Sequence, residues 1–232
     1  MSEASERIDS IVQRIAQAAK SAGRSPADVT LLAATKTRDT DTVREIIANG
    51  ISVVGENRVQ EMTQKLAENA YENASLHFIG QLQSNKVRQV AGYVDLIHSV
   101  DSLKLAQEIN KAVVARSDMT QPQDILIEIN IGGETSKGGI QPGQLKQFLY
   151  SLSELPAIRI SGLMCIPPPA QTKDEARRYF AQMKELFDRH CDSFSLHRPP
   201  VLSMGMSDDF EQAILEGSTL VRVGTALFGP RH

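Results

Sequence analysis

The sequence predicts an α/β fold with one domain over residues 1–232, a (β/α)8 barrel of TIM type carrying an additional N-terminal helix. Three observations predict it. Short β-branched runs alternate with amphipathic segments, the pattern of parallel βα units and not of an all-β chain. The runs number eight, the count that closes a parallel sheet on itself. At 232 residues the chain is long enough for one sizeable core, and barrels of this size form a single domain.

The first element is a helix, because Ile8, Ile11, Val12 and Ile15 recur at helical spacing. Strands are predicted at Val29 to Thr35, Ile51 to Val54, Leu76 to Ile79 and Val94 to His98. The remaining four are Ile125 to Ile129, Ile158 to Met164, Val201 to Ser203 and Leu220 to Val223. Helices lie between them. Tyr179, Phe180, Met183, Leu186 and Phe187 mark one apolar face, and Leu145, Phe148, Leu149 and Leu152 another, with Pro142 near its start where a missing N–H does no harm. Longer loops are expected around Gln121, 132–139 and 167–172.

Charge and composition exclude several classes. With 25 basic and 28 acidic residues spread along the chain, the net charge of -3 offers no footprint for nucleic acid or an anionic membrane. No apolar run approaches the ~18 residues of a membrane span. The first turns carry Glu3, Glu6 and Asp9, which is wrong for a secretory signal. Cys165 and Cys191 form no CxxC pair or disulfide framework, and read as two free thiols that pack in a reducing cytoplasm. The histidines His77, His98, His190, His197 and His232 lack ligand spacing, so no metal is expected.

Barrel chemistry sits at the carboxyl ends of the strands, which directs attention to the residues just after each apolar run. Lys36 follows Leu31-Leu32-Ala33-Ala34 and projects its amine at the mouth. Partial burial there favours the uncharged form that attacks an aldehyde, the requirement for a Schiff base. The competing reading is a snorkelling surface lysine. Ser203-Met204-Gly205-Met206-Ser207 and Arg222-Val223-Gly224-Thr225 follow or end the last two strands, where glycine and hydroxyl groups suit a phosphate. Ser207 also reads as a helix N-cap, with Asp208 and Asp209 in the first turn. Asn57 leaves the second strand and reads either as a neutral amide in the mouth or as a cap with Gln60 completing a capping box. Ser84 reads as the cap of the next helix, and Lys137, on the glycine-rich loop 132–139, as a solvated lysine or an accessory amine.

Together these strings resemble the pyridoxal phosphate homeostasis protein family, known as YggS in bacteria and PROSC in animals. The resemblance spans nearly the whole chain: Thr35-Lys36-Thr37, Gly55-Glu56-Asn57, His77-Phe78-Ile79-Gly80, Gly162-Leu163-Met164, Ser203 through Asp209 and Arg222 through Gly229. It departs from the commonest wording at Arg58, where an aromatic is frequent, and at Thr35, where a serine is; Arg58 is expected to extend outward. The resemblance implies a barrel like the alanine racemase N-terminal domain with pyridoxal 5'-phosphate as a Schiff base on Lys36. It implies that Ser207, Gly224 and Thr225 bind the phosphate, that Arg222 faces the pyridine nitrogen, that Asn57 lines the ring pocket, and that Ser203 and Met204 shape the wall.

Binding is expected over turnover. A guanidinium stays protonated and leaves the pyridine nitrogen unprotonated, which weakens carbanion stabilisation. The related racemases take a second proton carrier, a tyrosine, from a carboxyl-terminal domain, and this chain is expected to lack one because it ends at His232, just after the eighth strand. Its four tyrosines, Tyr71, Tyr93, Tyr150 and Tyr179, are expected away from the mouth. The reading is therefore a monomeric cytoplasmic carrier that buffers pyridoxal phosphate or delivers it to dependent apoenzymes. An amino-acid racemase or lyase of the same fold, and a barrel enzyme acting on a phosphorylated sugar, are the rivals.

Overall fold

The computed structural model describes residues 3–118, 120–195, 197 and 199–229, so His232 lies outside the described residues. Eight parallel strands close in sequential order. They are β1 (Thr30–Ala34), β2 (Val53–Glu56), β3 (Ser75–Phe78), β4 (Leu96–Val100), β5 (Gln123–Ile129), β6 (Ile158–Cys165), β7 (Val201–Ser203) and β8 (Leu220–Val223). The ring is sealed by β1 pairing with β8, Thr30 opposite Leu220 through Ala33 opposite Val223.

Eight helices accompany the strands among the described residues: α1 (Glu3–Ser21), α2 (Thr40–Ala48), α3 (Val59–Ala67), α4 (Leu103–Val114), α5 (Leu145–Leu152), α6 (Lys173–Arg189), α7 (Phe210–Leu215) and α8 (Thr225–Phe228). The connection from β3 to β4 is a 3-10 segment, Ser84–Gln89, whose N-cap Gln83 makes no side-chain capping bond, so Ser84 does not cap a helix. The N-terminal helix forms as expected and packs against α7 and α8, burying Ile8, Ile11 and Ile15. Val12 instead faces water, 48% exposed, because the buried stripe is narrower than the apolar pattern.

The period of two along each strand sorts residues between two cores. Outward residues such as Ala33, Val54, Ile127 and Leu163 pack beneath the helices, together with Phe180 and Met183 of α6. Inward residues form smaller clusters, Leu32, Ala34 and Leu220 in one and Leu96, Leu126 and Met164 in the other. The inner space is filled low in the barrel and opens at the carboxyl ends.

Two irregularities re-aim residues next to that opening. Ile125 pairs with Ile160 but Leu126 pairs with Gly162, so Ser161 is an extra residue in β6. Gly162 has φ +144, and a Cβ there would lie 1.9 Å from the Val201 carbonyl oxygen, so only glycine fits the bulge. The β4–β5 register shifts likewise between Ile97 and Val100.

Candidate functional site

A cavity of about 530 Å³ occupies the carboxyl ends of the strands. The inward period continues straight into it: Leu32 and Ala34 lead to Lys36, Leu126 to Glu128, and Leu220 through Arg222 to Gly224. Six of the eight residues named from the sequence line this one space: Lys36, Asn57, Ser207, Arg222, Gly224 and Thr225.

Lys36 is half-buried and its backbone is clamped on both sides. Before it, Thr35 is fully buried; its amide and hydroxyl donate to the Gly55 carbonyl (2.9 and 3.2 Å), and the hydroxyl also donates to Glu56 Oε1 (2.6 Å). Lys65 of α3 pairs with the same Glu56 oxygen at 2.6 Å and donates to the Thr35 carbonyl at 2.9 Å. Tyr71 donates to Glu56 Oε1 at 3.1 Å, and burial together with that carboxylate pushes its hydroxyl far above its ordinary value, so it remains a donor. After Lys36, Thr37 takes φ 62, the left-handed region that a β-branched residue enters only under constraint. Its N–H donates to Glu61 Oε2 at 2.8 Å. Arg58 turns outward and pairs with Glu61 at 3.2 Å.

Both capping readings give way. The N-cap of α3 is Arg58, with no side-chain bond, so Asn57 does not cap that helix; its Oδ1 is buried without a hydrogen-bond partner among the described residues. The Asn57 backbone runs close against Gly80, where a Cβ would lie 2.1 Å from the Asn57 carbonyl oxygen, so only glycine fits there. Ser207 does not cap α7, whose N-cap is Asp209. Its Oγ instead accepts from the Gly224 and Ala226 N–H groups, both at 3.2 Å, so two amides converge at one point on the wall.

Ser203 and Met204 do not shape the wall. Both are fully buried behind it, Met204 in the core beneath the helices and Ser203 inside the barrel, where Arg222 Nη1 donates to its Oγ at 2.6 Å. The positive φ of Gly205 turns the chain there, and Met206, 39% exposed, takes the lining position. Arg222 is 5% exposed and makes no carboxylate ion pair among the described residues; its second bond runs from Nη2 to the Cys165 carbonyl at 2.9 Å. Burial lowers its guanidinium from the usual value, but arginine starts so high that it stays a cation at neutral pH. Burial pushes the Cys165 thiol up to about 12, so this sulfur is no nucleophile.

The opposite wall went unnoticed in the sequence. Glu128 lines the cavity, and a Cβ on Gly138 would lie 3.2 Å from Asp101 Oδ2, 3.4 Å from Gln81 Nε2 and 3.7 Å from Glu128 Oε2, so three polar ends gather there. Burial first, then the neighbouring Asp101, pushes Glu128 up to about 7, with Arg222 opposing. A lone charge inside Ile125-Leu126-Ile127-Glu128-Ile129 was the available signal. Lys137 is not a free solvated lysine: it lines the cavity, pairs with Glu134 at 2.6 Å and donates to the Pro167 carbonyl at 3.2 Å. None of the tyrosines lines the cavity. Of the thiols Cys165 packs, whereas Cys191 is exposed. No cluster of metal-ligating residues occurs among the described residues, and no described helix is long and apolar enough to cross a membrane.

Known proteins resemble this chain in sequence and in fold. Residues 7–232 match the family model of the alanine racemase N-terminal domain. A pyridoxal phosphate homeostasis protein of Aquifex aeolicus is 44% identical over 228 residues, covering 98% of each chain. Among solved structures, an unknown protein from Bifidobacterium adolescentis is 38% identical with a TM-score of 0.88, covering 97% of this chain and 94% of its own. PipY of Synechococcus elongatus PCC7942, solved with PLP bound, is 34% identical with a TM-score of 0.81, covering 98% of this chain and 100% of its own. The chain belongs to the pyridoxal phosphate homeostasis protein family, within the wider group built on the alanine racemase N-terminal domain.

Proposed function

We propose that this protein holds pyridoxal 5'-phosphate on Lys36 and takes part in its homeostasis, buffering the cofactor or delivering it, without consuming it. One observation carries the reading: a lysine amine, an amide-and-hydroxyl cradle and a buried arginine without a carboxylate partner share one cavity. Pyridoxal phosphate, when bound, supplies an aldehyde for the amine, a phosphate for the cradle and a pyridine nitrogen that accepts a hydrogen bond.

The residues present fit that group. Ser207, Gly224 and Thr225 would take the phosphate, beside the point where the Gly224 and Ala226 N–H groups converge on Ser207 Oγ. Arg222 uses two of its five N–H groups on Ser203 and Cys165, and the guanidinium reaches the cavity wall with the rest, suited to the pyridine nitrogen. Asn57 brings a buried amide oxygen that has no partner among the described residues. The relative PipY was solved with PLP bound, which supports the cofactor.

We further propose a monomer acting in the cytoplasm, with pyridoxal phosphate-dependent apoenzymes as recipients. The two unpaired thiols support the compartment. Borohydride reduction of loaded protein followed by peptide mass analysis should find the adduct on Lys36, and Lys36→Ala should abolish the yellow colour of the wild type. A colourless wild type would remove the reading. Delivery requires that loaded protein activate an apoenzyme faster than free cofactor does. Exchange of an amino acid's α-hydrogen with solvent at a useful rate would replace the carrier with a racemase.

A further inference from the structure

The hydrogen bonds of Arg222 lead away from the cavity, into the interior of the barrel. Nη1 donates to Ser203 Oγ at 2.6 Å, Ser203 Oγ lies 3.1 Å from His98 Nδ1, and His98 Nε2 lies 3.0 Å from His77 Nδ1. All four side chains are inside: Ser203 and His98 are fully buried, and Arg222 and His77 are each 5% exposed. Four strands contribute one residue each, β8, β7, β4 and β3, so the chain crosses the barrel from its cavity wall to the far side.

Donor arithmetic fixes the protons along this path. A guanidinium only donates, so Ser203 Oγ accepts from Arg222. The Ser203 hydroxyl proton then goes to His98 Nδ1, its one remaining neighbour among the described hydrogen bonds. His98 therefore carries its proton on Nε2 and donates it to His77 Nδ1, which makes His77 an Nε2–H ring as well. The reverse order, with His98 Nδ1–H donating to Ser203, strands a buried hydroxyl proton at the full cost of its desolvation. Burial, with His77 and Arg222 adding to it, holds His98 well below its ordinary value, which agrees with a neutral ring.

We infer that Ser203 and His98, with His77 behind them, are positioning residues for Arg222, fixing the plane of its guanidinium and holding one proton order from the cavity wall to the far side of the barrel. The inference rests on the reading above that Arg222 faces the pyridine nitrogen. It also gives a use to Ser203, which the sequence placed on the cavity wall and the structure places behind it. Without its hydroxyl acceptor the guanidinium would keep, among the described residues, the Cys165 carbonyl alone.

Nitrogen-15 NMR of the full-length wild type, without added cofactor, tests the proton order directly. Both rings should be neutral Nε2–H tautomers from pH 6 to 8, and an Nδ1–H ring or an imidazolium at either position overturns the inference. Titration with pyridoxal phosphate tests the positioning. Ser203→Ala and His98→Leu should each weaken binding about tenfold and shift the visible absorption band, the size expected when one charge-assisted bond is misdirected. His98→Gln, whose amide oxygen and nitrogen replace the two ring nitrogens, should restore most of the loss. Wild-type affinity and spectrum in both Ser203→Ala and His98→Leu overturn the inference, and should His98→Leu not fold, the wild-type tautomers decide. A wild type that yields no borohydride adduct on Lys36 sinks the cofactor reading instead, while the ring tautomers still report on the proton order.

Discussion

Glu56 and Glu128 are the same residue type near the ends of two strands of one barrel, yet they lie in opposite environments. Glu56 points outward beneath α3, is fully buried, and shares one oxygen among Thr35, Lys65 and Tyr71. The Glu128 carboxyl points inward to the cavity, makes no side-chain hydrogen bond or ion pair among the described residues, and is pushed up to about 7. Which face of the pleat a carboxyl occupies decides its chemistry. Outward it meets a cation and donors, and ties down the backbone that carries Lys36. Inward it meets a partly dry cavity and another acid, Asp101, and holds its proton up to about pH 7.

The largest expected effect tests the outward half. Lys65→Met leaves Glu56 buried without its cation, a loss of about 3–5 kcal/mol by the behaviour of buried pairs stripped of one partner. Urea denaturation at pH 7 measures it, and a loss below about 1 kcal/mol would mean that the network is not an anchor.

A smaller effect tests the inward half through pH. Glu128 has its folded value raised from 4.5 to about 7, so the folded protein binds the extra proton and stability falls as pH rises across that window. Glu128→Gln should remove the fall and stabilise the protein at pH 8 by about 2 kcal/mol, allowing for water at the mouth. His98 acts in the opposite sense, since its value is lowered from 6.5 and the stability it brings is lost as pH falls below that point. The difference between wild-type and Glu128→Gln stability curves isolates the carboxyl; a flat difference from pH 4 to 8 would contradict the assignment.

The smallest effect bears on the clamp that joins the two halves at Lys36. Thr37→Gly relieves the left-handed strain and should stabilise the fold by about 1 kcal/mol or less, offset in part by the freedom glycine gains when unfolded. Thermal unfolding detects this, and destabilisation would show that the Thr37 conformation carries no strain.

The eight strands were legible because β-branched runs and their spacing survive in any parallel barrel, and β7 and β8 have the predicted bounds. β2 and β4 run two residues further along, through Glu56 and Ser99. Polar residues read locally as strand ends, whereas here tertiary partners take them up: Lys65 pairs with one oxygen of Glu56, and the Gly80 carbonyl, 2.5 Å away, accepts from Ser99. The cap readings of Asn57 and Ser207 misled because what surrounds each lies far along the chain: the Gly80 backbone runs close against Asn57, and the Gly224 N–H donates to Ser207 Oγ. Much of the cavity could be found from residues that follow apolar runs. Glu128 and His98 lie inside such runs, and only the inward period, counted from Leu126 and Leu96, turns them toward the barrel interior.

The loop over the acidic wall is closed at its base. Ile129 bridges Ile140 in parallel, with Asn130 N–H donating to Ile140 O and Ile140 N–H to Glu128 O, both at 2.9 Å. The Asn130 side chain spans the interior of the turn, donating to the Glu134 carbonyl at 2.8 Å and accepting from the Glu134 amide at 3.1 Å. Such a loop behaves as a stiff lintel whose height is set by Asn130. Added residues beyond Gly133 would hang outside the arch, where doubling a loop's length costs about 0.6 kcal/mol, making this the natural place to graft a reporter without altering the doorway beneath it.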